Sequence, residues 1–239
     1  MTKSNFIIID GIDGSGKSTI INTWANVLQT QGKKIFHLKN YWLEHHTHPS
    51  SDEIIDYDVI ISAEPTHVWI GSAIRNELIQ NDRNYSAYAI ADAFALDRLI
   101  LYKRLILPLR EAGKIIIQDR SVSTSLCYQS IQKNPLTQEE IARREGNAFA
   151  LSHAPDHFII ADVSIENALM RLGERSNKQD NAIFEKKDFL EKARTIFLDK
   201  TFQNYFTQHN ANVHILDCNP SIDIVSKNAT KLLFELLQT

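Results

Sequence analysis

The residues Phe6-Ile7-Ile8-Ile9-Asp10-Gly11-Ile12-Asp13-Gly14-Ser15-Gly16-Lys17-Ser18-Thr19 decide how this chain is to be read. Phe6 to Ile9 form a short apolar run rich in β-branched residues, which predicts a strand buried on both faces. From Gly11 to Ser18 the order is G-x-x-x-x-G-K-S, and a helical pattern follows over 17–31, closed by Gly32. A glycine-rich turn between strand and helix points successive backbone N–H groups at phosphate oxygens, and the helix N-terminus adds the positive end of its dipole. Gly11, Ile12, Asp13, Gly14, Ser15, Gly16, Lys17, Ser18 and Thr19 are therefore candidate ATP-binding residues. Lys17 offers a mobile charge to the outer phosphates, and Ser18 offers a hydroxyl ligand to Mg2+.

The remainder of the chain alternates in the same manner. Further strands are predicted at 34–38, 59–63, 114–118, 157–161 and 213–216. Helices are predicted at 68–80, 86–111, 165–172, 184–208 and 221–237, and a Thr137-x-x-Glu140 capping box opens another that runs to about Leu151. Pro108 should kink or end the long helix, and Gly113 should stop it. Residues 40–57 have no clear period and read as a loop or insertion. Within them, Glu44-His45-His46-Thr47-His48 is spaced too tightly for the usual metal-ligand sets and reads as a solvated loop. Strand–helix alternation gives a parallel sheet with helices on both faces. Ligands bind such sheets at the carboxyl ends of strands, where Asp10, Glu64-Pro65, Asp119-Arg120 and Asp162 fall.

Composition narrows the function. A net charge of −3 over 239 residues argues against a surface that grips nucleic acid non-specifically. The apolar runs are far shorter than the ~20 residues a membrane span needs. Two cysteines, Cys127 and Cys218, make no disulfide framework, and no signal-peptide pattern opens the chain. The expectation is one cytoplasmic domain over 1–239, with neither a nucleic acid nor a membrane as partner.

Three smaller patterns bear on chemistry. Asp119 at a strand end can hold Mg2+, and the adjacent Arg120 can clamp phosphate oxygens and offset charge on a transferred group. Arg171, Arg175 and Lys178 fall between two helices as a basic lid, placed at about 171–183, that would cover phosphates and exclude water. Phe94 and Arg98 stand at i, i+4 on one helix face, where a ring can stack on a planar base and the guanidinium can donate to a carbonyl.

Taken together these stretches resemble the thymidylate kinase (dTMP kinase) family of P-loop nucleoside monophosphate kinases. The resemblance runs from about Phe6 to Leu237 and is carried by Phe6–Thr19, Glu64-Pro65-Thr66 with Gly71-x-x-Ile74-Arg75, and Phe94-Ala-Leu-Asp-Arg98. Also part of it are Asp119-Arg120, Ser125-Leu-Cys-Tyr128-Gln129, Pro155-Asp156 before Asp162, and Phe184-Glu185. It implies an α/β P-loop NTPase fold with a five-stranded parallel sheet, helices on both faces and a short lid. It implies Mg2+-dependent transfer from ATP to dTMP, and a homodimer. Asp13 would meet the acceptor sugar's 3′-hydroxyl side, and Glu64 and Pro65 would shape the acceptor pocket. Phe94 would stack on thymine and Arg98 would donate to its O4. Arg120 would bridge the two phosphates, with Asp119 near Mg2+. Tyr128 would press on C2′ of the sugar, Gln129 would approach the base, and Cys218 to Ser221 would meet adenine. Arg75 and Arg120 as acceptor-side cations favour a monophosphate over a nucleoside. The chain departs from the family pattern at Gly14, where one branch carries an arginine, so the catalytic cation falls to Arg171 or Arg175 of the lid. It departs again at Ala63, at Ser121 and in the lack of Gly-Gly after Pro65. A deoxynucleoside kinase and a non-catalytic ATP-binding regulatory module are the alternatives.

Overall fold

The computed structural model describes residues 5–80, 83–174 and 187–238. Six strands form one wholly parallel sheet: β1 (Asn5–Asp10), β2 (Ile35–His37), β3 (Val59–Ala63), β4 (Ile115–Asp119), β5 (His157–Asp162) and β6 (Asn212–Asp217). Their order is β2-β3-β4-β1-β5-β6. The five strands implied by the resemblance are thus corrected to six. Both edges are truly paired: β2, only three residues long, matches β3 residue for residue, and β6 pairs with β5 along its whole length.

Phe6 to Ile9 are wholly buried because β1 sits in the middle, with β4 and β5 beside it and helices flanking the sheet. The strand order reverses at β1, so the turn after it lies at the switch point where open α/β sheets bind ligands. The register sets Ile9 level with Asp119 and Asp10 level with Ile160, which brings the polar ends of three central strands to one rim.

The helices are α1 (Lys17–Thr30), α2 (Leu38–His45), α3 (Trp69–Ala73), α4 (Ala87–Leu101), α5 (Leu107–Glu111), α6 (Val122–Tyr128), α7 (Gln138–Ala142) and α8 (Glu145–Ser152). They continue with α9 (Ile165–Glu174), α10 (Lys187–Leu198), α11 (Lys200–Thr207) and α12 (Ile222–Gln238). Buried Trp24 of α1 donates its indole N–H to Ala229 O of α12 at 2.7 Å. Gly146 lets α8 press on α4, since a Cβ there would lie 1.8 Å from Ala95 O.

Several expectations change in detail. The long helix keeps its predicted extent, to Glu111 before Gly113 at φ 72°, but Pro108 does not end it: a π-helical turn, Tyr102–Ile106, lies just upstream. Proline lacks the N–H for an α-helical bond and crowds the carbonyl one turn back; a wider turn just upstream accommodates both. Residues 40–57 are not simply a loop: most of α2 lies there, held by Leu38 and Trp42, fully buried at i, i+4. The stretch read as one helix over 184–208 is two, because Asp199 accepts from Thr201 N and caps α11; its first residues, 184–186, lie outside the described residues. Helix α6 was not expected. Its hydroxyl-rich sequence has poor helix propensity, but Ser121 caps it and nearly every residue is buried.

Candidate active site

At the carboxyl end of β1 the backbone turns through Gly11, Gly14 and Gly16 at φ 145°, 80° and 95°. These glycines also permit contact: a Cβ on Gly11 would sit 2.5 Å from Ala161 O, and one on Gly14 would sit 2.6 Å from Ala168 O. Lys17 Nζ folds back over the loop and donates to Gly11 O at 3.0 Å and Ile12 O at 2.9 Å. Burial and the Arg120 charge pull its pKa down, against the nearby carboxylates Asp13, Asp119 and Asp10. Ser15 is buried, Ser18 is exposed on the first turn of α1, and Thr19 N bonds to Gly16 O.

The close approach of α9 to Gly14 explains why no side chain stands at that position. One turn beyond Ala168, Arg171 donates to Gly14 O at 3.3 Å and to Cys218 O at 2.7 Å. It therefore places a cation directly over the phosphate loop and ties that loop to the segment after β6. Arg175 and Lys178, with most of 171–183, lie outside the described residues.

Beside the loop, Arg120 sits at φ 66°, a conformation that a non-glycine residue holds only when its surroundings enforce it. Its N–H donates to Ile9 O, and its carbonyl accepts from Gln118 Nε2. The guanidinium pairs with Asp13, approaches Asp10 at 3.9 Å, and lies over the Tyr128 ring 5.7 Å from its centroid. These carboxylates hold Arg120 firmly protonated. Asp10, with no exposure, gathers Gly11 N, Ser123 Oγ and Thr124 Oγ1 around one carboxylate, and burial raises its pKa. Asp119 Oδ1 is buried with no hydrogen-bond partner, as a ligand atom kept for a cation would be.

A narrow cleft adjoins this rim, lined by Glu64, Pro65, Phe94, Arg98, Ser121, Thr124 and Ser125. Arg98 is 1% exposed and spans it: Nε donates to Glu64 at 2.7 Å, one Nη to Asn147 and the other to Ser125 Oγ at 3.2 Å. Gln118 Nε2 completes the Glu64 carboxylate at 3.0 Å. Burial pushes the Glu64 carboxyl upward, Asp97 adds to the rise, and Arg98 opposes it. Asp97 fixes the neighbouring turn by accepting both Thr66 N at 2.8 Å and Thr66 Oγ1 at 2.6 Å. Arg75 straps the same turn through the carbonyls of Pro65 and Thr66. Tyr128 and Gln129 are buried at the end of α6, where Tyr128 packs edge-on against Phe189 and Gln129 Oε1 has no hydrogen-bond partner.

The described residues named by the sequence thus gather at one rim. Sequence reading placed Asp10 among the ligand-facing strand ends without a role of its own, and assigned nothing to Asp97, Gln118, Asn147 or Arg194. Asp97 and Gln118 lay inside or beside quoted motifs, but no local pattern marks Asn147, 49 residues from its partner Arg98. Arg194 of α10 grips Asp162 through two bonds, at 2.6 and 2.9 Å, and occupies the carboxylate that sequence reading had placed among the ligand-facing strand ends.

Known proteins are similar to this chain over most of its length. A family model described as thymidylate kinase matches residues 52–229. The chain is 31% identical to a probable thymidylate kinase of Methanococcus aeolicus, over 97% of each chain. It is 31% identical to a thymidylate kinase of Desulfotalea psychrophila, over 97% of this chain and 95% of the relative. It is 27% identical to one of Thermosipho africanus, over 98% of this chain and the full length of the relative. With the phosphate loop, the Arg120 rim and the adjoining cleft in one parallel α/β fold, the chain belongs to the thymidylate kinase family.

Proposed function

We propose that the chain is a single kinase domain that transfers the γ-phosphoryl group of ATP to dTMP, giving dTDP and ADP. The observation that carries this reading is the place of Arg120, which joins Asp13 of the phosphate loop to Tyr128 beside the cleft. A cation there can touch donor and acceptor phosphates at once. ATP phosphates take the loop N–H groups, and Lys17 exchanges its carbonyl partners for phosphate oxygens. Arg171, already bonded to Gly14 O, supplies the cation over the transferring group. The orphaned Asp119 Oδ1 and the exposed Ser18 hydroxyl suit Mg2+ and would hold it. When bound, that ion neutralises phosphate charge.

Phe94 supplies the stacking face for thymine, with Arg98 held at the cleft by Glu64, Asn147 and Ser125. Asp13, Pro65, Arg75 and Gln129 complete the acceptor side. No strong general base is needed, because the acceptor phosphate is already an anion; positioning and charge neutralisation carry the rate. A homodimer working in the cytoplasm is the setting we assign to it. Among the described residues, no helix is long and apolar enough to cross a membrane.

The test is ADP release from ATP and Mg2+ across dTMP, dUMP, UMP, dCMP, dGMP, AMP and thymidine. Turnover led by dTMP is expected. Turnover with thymidine but not dTMP would make it a nucleoside kinase. Silence across the panel despite ATP binding would make it a regulatory module.

A further inference from the structure

The histidine-rich stretch after α2 is not solvated at its end, because His48 is 4% exposed. Trp42 Nε1 donates to His48 Nδ1 at 3.1 Å. An indole nitrogen can only donate, so His48 accepts at Nδ1 and carries its proton on Nε2. The His48 ring meets Trp69 edge-on with centroids 4.9 Å apart, and Trp42 stacks on His67 at 6.3 Å. The Arg104 guanidinium lies over the Trp69 ring, 5.4 Å from its centroid. Trp69 itself holds φ at 48°, a left-handed conformation that a bulky residue keeps only where its neighbours impose it.

His67 directly follows Glu64-Pro65-Thr66, and Trp69 stands two residues further on. The inner end of this turn is fixed by Asp97 and Arg75. Gly71 abuts it so closely that a Cβ would lie 2.3 Å from Thr66 Oγ1, which leaves little slack between turn and helix. The outer end is where the aromatic rings close.

We propose that Trp42, His48 and Trp69 are positioning residues for the acceptor: an aromatic bracket outside the cleft that sets the 64–69 turn, and with it Pro65 and Arg75. This rests on the reading of the cleft as the acceptor site. It also gives the segment over 40–57 a task within the same reaction.

The test is steady-state kinetics with dTMP and ATP varied separately, beside a melting curve for each variant. Trp69→Ala removes a side chain that is 45% exposed, so the core stays filled. Trp42→Phe keeps an aromatic ring and deletes the N–H. In both, KM for dTMP is expected to rise about three- to tenfold while KM for ATP stays put. A purely structural role would lower Tm and kcat without separating the two KM values, and that result overturns the bracket. His48→Asn, which restores an acceptor near Nδ1, should keep a lower dTMP KM than His48→Leu; the reverse order also overturns it. Phe94→Ala serves as control. If it raises KM for dTMP while the bracket variants do not, the cleft stands and the bracket falls. If none of the variants raises it, both fall.

Discussion

The two ends of this site are built on different principles. The phosphate loop is local: nine consecutive residues, Gly11 to Thr19, offer backbone N–H groups, a lysine and a hydroxyl. The cleft is assembled: Glu64 reaches Arg98 across 34 positions, Arg98 reaches Asn147 across 49, and Thr66 reaches Asp97 across 31. Backbone recognition needs only that glycines permit a turn, whereas a buried guanidinium needs a partner for its charge. On the proposed reading the loop's side chains serve chemistry, and they should be removable without unfolding. In the cleft, the side chains proposed to meet the acceptor also hold the walls together.

Lys17→Ala tests that contrast most sharply. Turnover should fall by roughly a thousandfold or more, since a preorganised cation at the transferring phosphates is lost. Stability should hardly change, because Lys17 is buried at a cost and its bonds go to carbonyls that can meet water instead. A variant that melts well below the wild type would erase the difference between the two ends, and near-full turnover would remove Lys17 from the machinery.

Arg98→Ala should behave in the opposite way. It leaves Glu64 buried and uncompensated, which should cost about 3–5 kcal/mol in a urea titration, beyond any kinetic effect. A cost below about 1 kcal/mol would place the pair with ordinary surface ion pairs and break the picture of a charge-locked cleft.

Legibility divides along the same line. The P-loop, all six strands and the Thr137 capping box could be read directly, because each is written in adjacent residues. Phe94 and Arg98 could be paired because helix periodicity places them on one face. Asn147 could not, since only the packing of α8 on α4 at Gly146 brings it to Arg98. Helix α6 was hidden by serines and a threonine whose hydroxyls turn inward, toward Asp10 and Arg98, instead of to water. Helix α2 was hidden because only two of its residues, Leu38 and Trp42, are buried, while apolar Leu43 faces outward and blurs the period. Each of these failures occurs where a tertiary partner overrides a local preference.

The smallest expected effect concerns pH, and it belongs to the acceptor side. Burial, with Arg104 nearby, holds His48 down at about 4, and burial with Arg75 and Lys39 nearby does the same for His67. Both folded values lie below the unfolded value of about 6.5. Between those limits the unfolded chain binds more protons than the folded one, so stability falls as pH drops from about 6.5 toward 4. Protonated His48 would also place an N–H at Nδ1, facing the indole donor of Trp42. Many carboxylates titrate over the same range, so the informative quantity is the difference between the wild type and His48→Leu. That variant should lose part of the acid dependence of Tm while keeping the wild-type slope above pH 7. Parallel curves down to pH 4.5 would mean that His48 accommodates its proton without strain. The Trp42 bond would then be dispensable to the fold, and the distinction between a loop that tolerates change and a cleft that does not would rest on Arg98 alone.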